Sequence, residues 1–486
     1  MGGRKRFKIS GASTKNADSI VSAILVWLPE LVLFVALAHL YLFCMPVSFG
    51  DDAHYASLLN DRSLMGVMAL YWSEWSSRVL WDALAAVFAS LPYLFAMSMH
   101  VVVWMGIQRA IVVLLSAQHD RECRWIVSLL LLCYPFANMA EAGPVITPLY
   151  YLYPLLALLL AIIILKKLAG GGQTRLRLLA WVLVYAVLLV WAADVQQLAV
   201  VMVLLFSFLL YRSIRHRLGR RSTALCSLGL GMGLLGLAVA ALSPGAAIRF
   251  AREATTWWPS AYFYSPVAWE DVSLVQKLYL GVVSTVDRYL YPLLGGNPLL
   301  EGNICLLLCV GSLVALQGVR KRGRARRALM MFGIASIALL VLVPEVSKHA
   351  AKLSGVPILW HLFTRPLYDG GETRLILSLC EFALLCTTVA LMVFGLSGKR
   401  RTAALFLFIA GAASRGVMAF SPTLFASGNR TFFFLDLALL SIVFLAVMEL
   451  RDAKPQWRCA AIGILGAAAA LSCSSTSMAM LMTTAA

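Results

Sequence analysis

Asp51 and Asp52 stand side by side just past a long apolar run, with Phe49 and Gly50 before them and His54 and Tyr55 behind. Paired acids at the mouth of a membrane span are costly if they face lipid and useful if they face a water-filled site. A carboxylate at an apolar boundary can have a raised pKa and act as a general base, taking a proton from a hydroxyl nucleophile. The plainer alternative is that the pair caps the next short helix. Two adjacent acids usually diverge, one doing chemistry while a hydrogen bond or a cation fixes the other; Asp51 is favoured for the chemical role. An aromatic and polar run, Trp72 to Ser77 with Trp75 inside it, leads to Arg78, which opens the next apolar block. Arg78 could neutralise one acid or grip a phosphate bidentately; a snorkelling arginine is the alternative.

Further polar groups recur at the ends of apolar segments. Glu141 precedes Gly143, Pro144 and Pro148, which break a helix, and Tyr150, Tyr151 and Tyr153 enter the segment that follows. Their hydroxyls suit a sugar or a lipid phosphate, and equally an aromatic belt. Asp194, Gln196 and Gln197 sit in a very short turn between two apolar helices, where amide and carboxylate groups suit a hydroxyl-rich ligand or a tight capped hairpin. A Ser243-Pro244-Gly245 turn presents Arg249 and then Arg252, and a Ser427-Gly428-Asn429 turn presents Arg430. Arg249 and Arg430 lie at span ends away from the main basic clusters, which an anion such as a lipid phosphate would explain. Arg365 and Arg374 could join them, or all could pair with Glu253, Asp369 and Glu372. Trp257, Trp258, Tyr262, Tyr264 and Trp269 suit an interfacial helix or lid.

These groups must be positioned by membrane helices. Of 486 residues, 61% are hydrophobic and 13% charged, and mean hydropathy is +0.83. That balance belongs to a polytopic membrane protein. The net charge of +18 lies in short clusters between apolar segments, the pattern of membrane orientation, so no nucleic-acid partner is expected. The ten cysteines show no CxxC or His-Cys ligand spacing, and neither a disulfide framework nor a metal site is expected. P-loop, dinucleotide, GxSxG and HExxH patterns are missing, so nucleotide-driven chemistry is unsupported. No cofactor is expected; a divalent cation could assist, but Asp51-Asp52 alone does not call for one. The basic N-terminus reads as preceding a retained first helix.

Spans are expected near 20–44, 91–116, 125–138, 149–165, 178–193, 197–210, 224–242, 304–316, 329–343, 375–396, 403–420, 432–448 and 459–481, roughly 13 in all. Val79–Ser90 is read as a partly immersed helix, so that the block ending at Ser116 crosses once. Clusters at the N-terminus, 121–124, 166–177, 212–221, 320–327, 399–401 and 451–458 hold most of the 41 Lys and Arg. Their alternation predicts a multi-pass protein of the cytoplasmic membrane, with its N-terminus inside and every polar turn named above on the outer face. One transmembrane domain over 1–486 is expected, with an outer catalytic loop and interfacial helices at 45–90, an outer aromatic loop at 244–300 and no separate soluble domain.

Taken together, the outer-loop DD after the first span, the W-x-x-R ending at Arg78, the Tyr-Leu-Tyr-Pro segment at 151–154, the SPG-x-x-x-R turn ending at Arg249 and the SG-x-R-T turn at 427–431 resemble a bacterial family of membrane glycosyltransferases. The chain is similar to the GT-C superfamily, including the Gtr-type enzymes that decorate surface polysaccharides, and the likeness spans most of its length. It implies an all-α GT-C-like bundle with outer juxtamembrane helices. It implies a polyprenyl-phosphate sugar donor, a cell-envelope glycan or glycolipid acceptor, and membrane lipids as surroundings. Asp51 or Asp52 would be the base of an inverting transfer, and Arg78, Arg249 and Arg430 would lie near the donor phosphate. His54, Tyr55, Trp75, Glu141, Tyr150, Tyr151, Asp194 and Gln197 complete the candidate substrate site.

Two other classes fit the composition. A transporter or flippase of a lipid-linked or anionic solute would use acids within spans, such as Glu30, Glu381 and Asp436, although no repeated halves are visible. A polysaccharide polymerase or ligase would take a lipid-linked glycan in place of a monosaccharide.

Overall fold

A computed structural model describes residues 12–46, 50–115, 118, 120–170, 172, 174–258, 268–294, 393, 396–424, 426–453 and 458–485. Among these residues the chain is helical with no strand, as a chain must be if it satisfies its backbone hydrogen bonds within lipid without closing a barrel. The helices are α1 (Ala12–His39), extended by a π-helical turn over Leu40–Cys44, α2 (Asp52–Asp61), α3 (Leu64–Glu74), α4 (Val79–Ser90), α5 (Tyr93–Leu114) and α6 (Arg121–Leu132). Then come α7 (Ile146–Ala169), α8 (Arg175–Ala193), α9 (Gln196–Arg215), α10 (Arg220–Leu242), α11 (Pro244–Thr256) and α12 (Leu274–Leu294). The last three are α13 (Gly398–Gly416), α14 (Phe433–Ala453) and α15 (Arg458–Ala485).

Nine helical segments among the described residues are long and apolar enough to cross a membrane. They coincide with nine of the expected spans, and the chain is a multi-pass membrane protein. The block from Val79 to Ser116 divides as expected, into the short α4 and the single span α5. The stretch expected to span at 125–138 is the 12-residue α6, followed by a 3-10 turn over Phe136–Ala140. At 1.5 Å per residue such a helix is too short to cross alone. The spans expected at 304–316 and 329–343, most of that at 375–396, and Arg365, Asp369, Glu372, Arg374 and Glu381 lie outside the described residues. So do Tyr262 and Tyr264. The loop expected at 244–300 contains two helices, α11 and α12.

The helices sort by depth in the bundle. Leu149, Leu152 and Ala161 of α7 and Phe433, Ile442 and Ala446 of α14 are fully buried, whereas α8 and α10 expose Leu176, Leu179, Leu183, Leu234 and Leu235. An outward face of that size made of leucine is one for lipid tails. On α10, Gly229 and Gly233 let the backbone approach Phe206 and Val203 of α9, the small-residue spacing by which membrane helices pack closely. Arg124 at the start of α6 ion-pairs with Glu30 of α1, its Nε donating to Oε1 at 2.6 Å. A buried acid and base thus compensate each other inside the bundle.

Hydrogen bonds between distant turns divide them between two ends. The basic turns meet at one: Lys166 Nζ donates to the Leu114 carbonyl at 3.3 Å, Arg451 pairs with Asp120, and Arg400 pairs with Glu449 at 2.8 Å. Turns carrying acids, tyrosines and amides meet at the other, described next.

Candidate active site

Gly50 fixes the first loop. Its φ of +63° belongs to the left-handed region, and a Cβ there would lie 2.6 Å from the Ala142 carbonyl oxygen. Only glycine meets both demands without strain. The next amide, of Asp51, then donates to that carbonyl at 2.7 Å. The two acids diverge as a result. Asp51 precedes α2 but its side chain makes no capping bond, and it is exposed to solvent. Asp52 is buried and accepts from the amides of Val145 and Ile146, each at 3.1 Å. It therefore caps α7, a helix far along the chain, in place of its own. Burial pushes its carboxyl up to about 6, the two amides pulling the other way and the Asp51 charge adding to the rise.

Arg78 begins α4 and lies over the Tyr150 ring, its Cζ 4.5 Å from the centroid. Its Nε donates to Ser76 Oγ at 3.4 Å. One turn further on stands Asp82, which is wholly buried. Asp82 Oδ1 accepts from the Tyr55 hydroxyl at 3.1 Å and from the Tyr150 hydroxyl. The Tyr150 and Tyr55 hydroxyl oxygens also lie 2.7 Å apart. Tyr71 stacks on Tyr55 with centroids 5.6 Å apart, and its hydroxyl lies 3.4 Å from Nε2 of the exposed His54. The Asp82 charge reaches Arg78 and sustains its protonated form against burial.

Two more carboxylates cap distant elements. Asp194 Oδ2 accepts from the Trp81 amide at 3.3 Å, near the start of α4, while Trp81 Nε1 donates to the Trp191 carbonyl at 2.8 Å. Burial raises the Asp194 carboxyl to about 7; the Trp81 amide opposes this, the Asp82 charge adds to it, and Arg78 opposes it. Glu141 accepts from the amides of Asn429 at 2.9 Å and Arg430 at 2.8 Å, holding the turn before α14. Gln197 Nε2 donates to the Thr431 carbonyl at 3.0 Å, and Gln196 to Ser77 Oγ at 2.7 Å. Asp52, Asp194, Glu141 and Gln197 are thus tied to backbone, and they lock the walls of the site.

Among the candidate phosphate ligands, Arg78 and Arg430 converge, both lying within electrostatic reach of Tyr151. Tyr151 itself packs on Phe433 and Phe434 at 5.6 and 6.0 Å between centroids. Arg249 is placed differently. Its Nε is ion-paired with Glu253 at 2.7 Å, and its guanidinium lies 5.2 Å from the Trp75 ring, with Arg252 at 5.7 Å. The SPG turn explains its position: Ser243 Oγ caps α11 by accepting from Ala246 at 3.3 Å. A Cβ on Gly245 would meet the Tyr71 carbonyl oxygen at 2.5 Å, so glycine lets α11 lie directly on α3.

Asp82 is the residue that sequence reasoning missed. The signal was a lone acid in an otherwise apolar helix, one turn beyond an arginine that begins it. Among the described residues no three His, Cys, Asp or Glu side chains come together as a metal site. Comparison with protein-family models, curated proteins and solved structures finds no match to this chain.

Proposed function

We propose that the chain is a membrane glycosyltransferase that moves a monosaccharide from a polyprenyl-phosphate donor to a glycan or glycolipid acceptor. The observation that carries this reading is the division of labour at one end of the bundle. Asp51 is an exposed carboxylate on a backbone held rigidly by Gly50 and Asp52. Arg78 and Arg430 are cations that both lie within electrostatic reach of Tyr151, with no carboxylate at ion-pair distance among the described residues. The first suits a base and the second an anionic leaving group. In an inverting displacement, Asp51 removes the acceptor hydroxyl proton as that oxygen bonds to the anomeric carbon, and the lipid phosphate departs carrying the bonding pair. Fixed guanidinium groups stabilise the charge that develops on it. The positive-inside bias supports an orientation with this end on the outer face of the cytoplasmic membrane.

The test is turnover with a panel of polyprenyl-phosphate sugars in membranes, read by lipid mass spectrometry. A sugar donor should be consumed with release of polyprenyl phosphate, and Asp51→Asn should abolish this. Flux of a solute across proteoliposomes without a covalent product would overturn the reading.

A further inference from the structure

The basic end of the bundle is not uniform. On one side its arginines are neutralised: Arg400 of α13 pairs with Glu449 and Asp452 of α14, and Arg451 pairs with Asp120. On the other side there is no acid to pair with. Between Glu141 and Glu253 the sequence holds a single acid, Asp194, and it lies at the opposite end. Within that stretch Arg175 and Arg177 begin α8, and five arginines fall between Arg212 and Arg221, where α9 turns into α10. All of these arginines are exposed, and none makes an ion pair among the described residues. Membrane orientation depends on Lys and Arg and is little affected by acids. It accounts for the arginines and not for the exclusion of acids around them.

The two arginine groups lie together. The Tyr185 hydroxyl of α8 donates to the Leu225 carbonyl of α10 at 3.0 Å, and further on a Cβ at Gly236 of α10 would meet the Ala193 carbonyl oxygen of α8 at 2.3 Å. Both partners advance in the same direction, so α8 and α10 are parallel and start side by side. The amides that open them receive no side-chain cap, and the two helix dipoles add to the positive potential. Exposed apolar side chains are interleaved with the cations: Leu176 and Leu179 on α8, Ile214 and Leu218 around the α9–α10 turn. We propose that the α7–α8 and α9–α10 turns form a docking surface for anionic phospholipid headgroups in the leaflet at this end of the bundle. The apolar side chains reach the acyl region while the arginines snorkel to the headgroups. There each guanidinium can take a phosphodiester with two parallel hydrogen bonds. A soluble acidic partner would match the charge but leave the interleaved leucines without a role.

The full chain, purified in detergent, is titrated with phosphatidylglycerol or with phosphatidylcholine, and the bound lipids are counted by native mass spectrometry. Phosphatidylglycerol should bind about tenfold more tightly or better. Combining Arg212→Gln, Arg215→Gln, Arg217→Gln, Arg220→Gln and Arg221→Gln should shrink that preference to about twofold, whereas lysine at the same five positions should keep most of it, because the charge remains. Equal binding of the two lipids by the wild-type chain, or a preference unchanged by the five glutamines, would overturn the inference. So would a preference lost in Arg78→Gln, which would place the anionic lipid at the opposite end. Tight binding of polyglutamate with no lipid preference would overturn it too, by giving the surface to an acidic soluble partner. If the five-glutamine chain does not fold, the wild-type comparison and the Arg78→Gln result still decide.

Discussion

Ile146 donates its amide to the carboxylate of Asp52 across 94 residues of sequence, at 3.1 Å. That bond, with its companion from Val145, makes Asp52 the cap of the helix that carries Tyr150 and Tyr151. The neighbouring Asp51 is left in solvent.

Asp51 and Asp52 should therefore fail in different ways. Asp52→Ala strips two amides of their acceptor at a buried helix start, a loss of about 1–3 kcal/mol. It should lower the thermal midpoint in detergent by several degrees. Asp51→Asn removes an exposed charge and should change stability by less than about 0.5 kcal/mol, while abolishing sugar transfer. Equal loss of stability in both variants would contradict the division.

How much of this was legible beforehand follows from range. The spans were readable because apolar length is a local property, and the grouping of turns because basic residues alternate along the chain. The exposed and buried members of the DD pair were not separable, since the partners of Asp52 lie at 145–146. Asp194 looked like a ligand or an ordinary cap, and Glu141 like a ligand. Their actual acceptor role, each capping another element, depends on contacts that no spacing encodes. Asp82 was hidden for a different reason: it sits in a helix whose other residues are nearly all apolar, and its importance comes from two tyrosines on α2 and α7.

Gly50→Ala tests whether the loop geometry matters. A left-handed φ costs an alanine about 1–2 kcal/mol, and the new Cβ would press on the backbone oxygen of Ala142 at 2.6 Å. Because both partners are backbone, neither can yield by a rotamer change. The variant should lose stability by at least about 2 kcal/mol and lose activity beyond its loss of folded protein. Wild-type turnover per folded molecule would show that the loop does not position Asp51.

The three candidate phosphate arginines should rank unequally. Arg249 is already neutralised by Glu253, so Arg249→Gln should weaken donor binding by no more than a few fold. Arg78→Gln and Arg430→Gln each remove a cation with no carboxylate at ion-pair distance among the described residues and should weaken it by 10-fold or more, on the order of 1.4 kcal/mol or above. Arg78→Lys should recover only part of the loss, because a lysine keeps the charge but not the bidentate fork. Donor titrations of the purified variants check the order, and a dominant effect at Arg249 would reverse it.

Asp194 sets the pH dependence of stability at this end of the bundle. Its folded carboxyl is raised to about 7 from the ordinary 3.8, chiefly by burial. Between those values the folded chain holds a proton that the unfolded chain has released. Stability is then greatest below the unfolded value and falls as pH rises through the folded one. Asp52, raised to about 6, acts in the same direction. Asp194→Asn keeps a carbonyl to accept from the Trp81 amide but cannot ionise. Its thermal midpoint should change less than that of the wild-type chain from pH 4 to pH 8, with the two curves diverging mainly below pH 7. Parallel curves over that range would show that the Asp194 carboxylate is no less comfortable folded than unfolded, and that its contact with α4 is a solvated one.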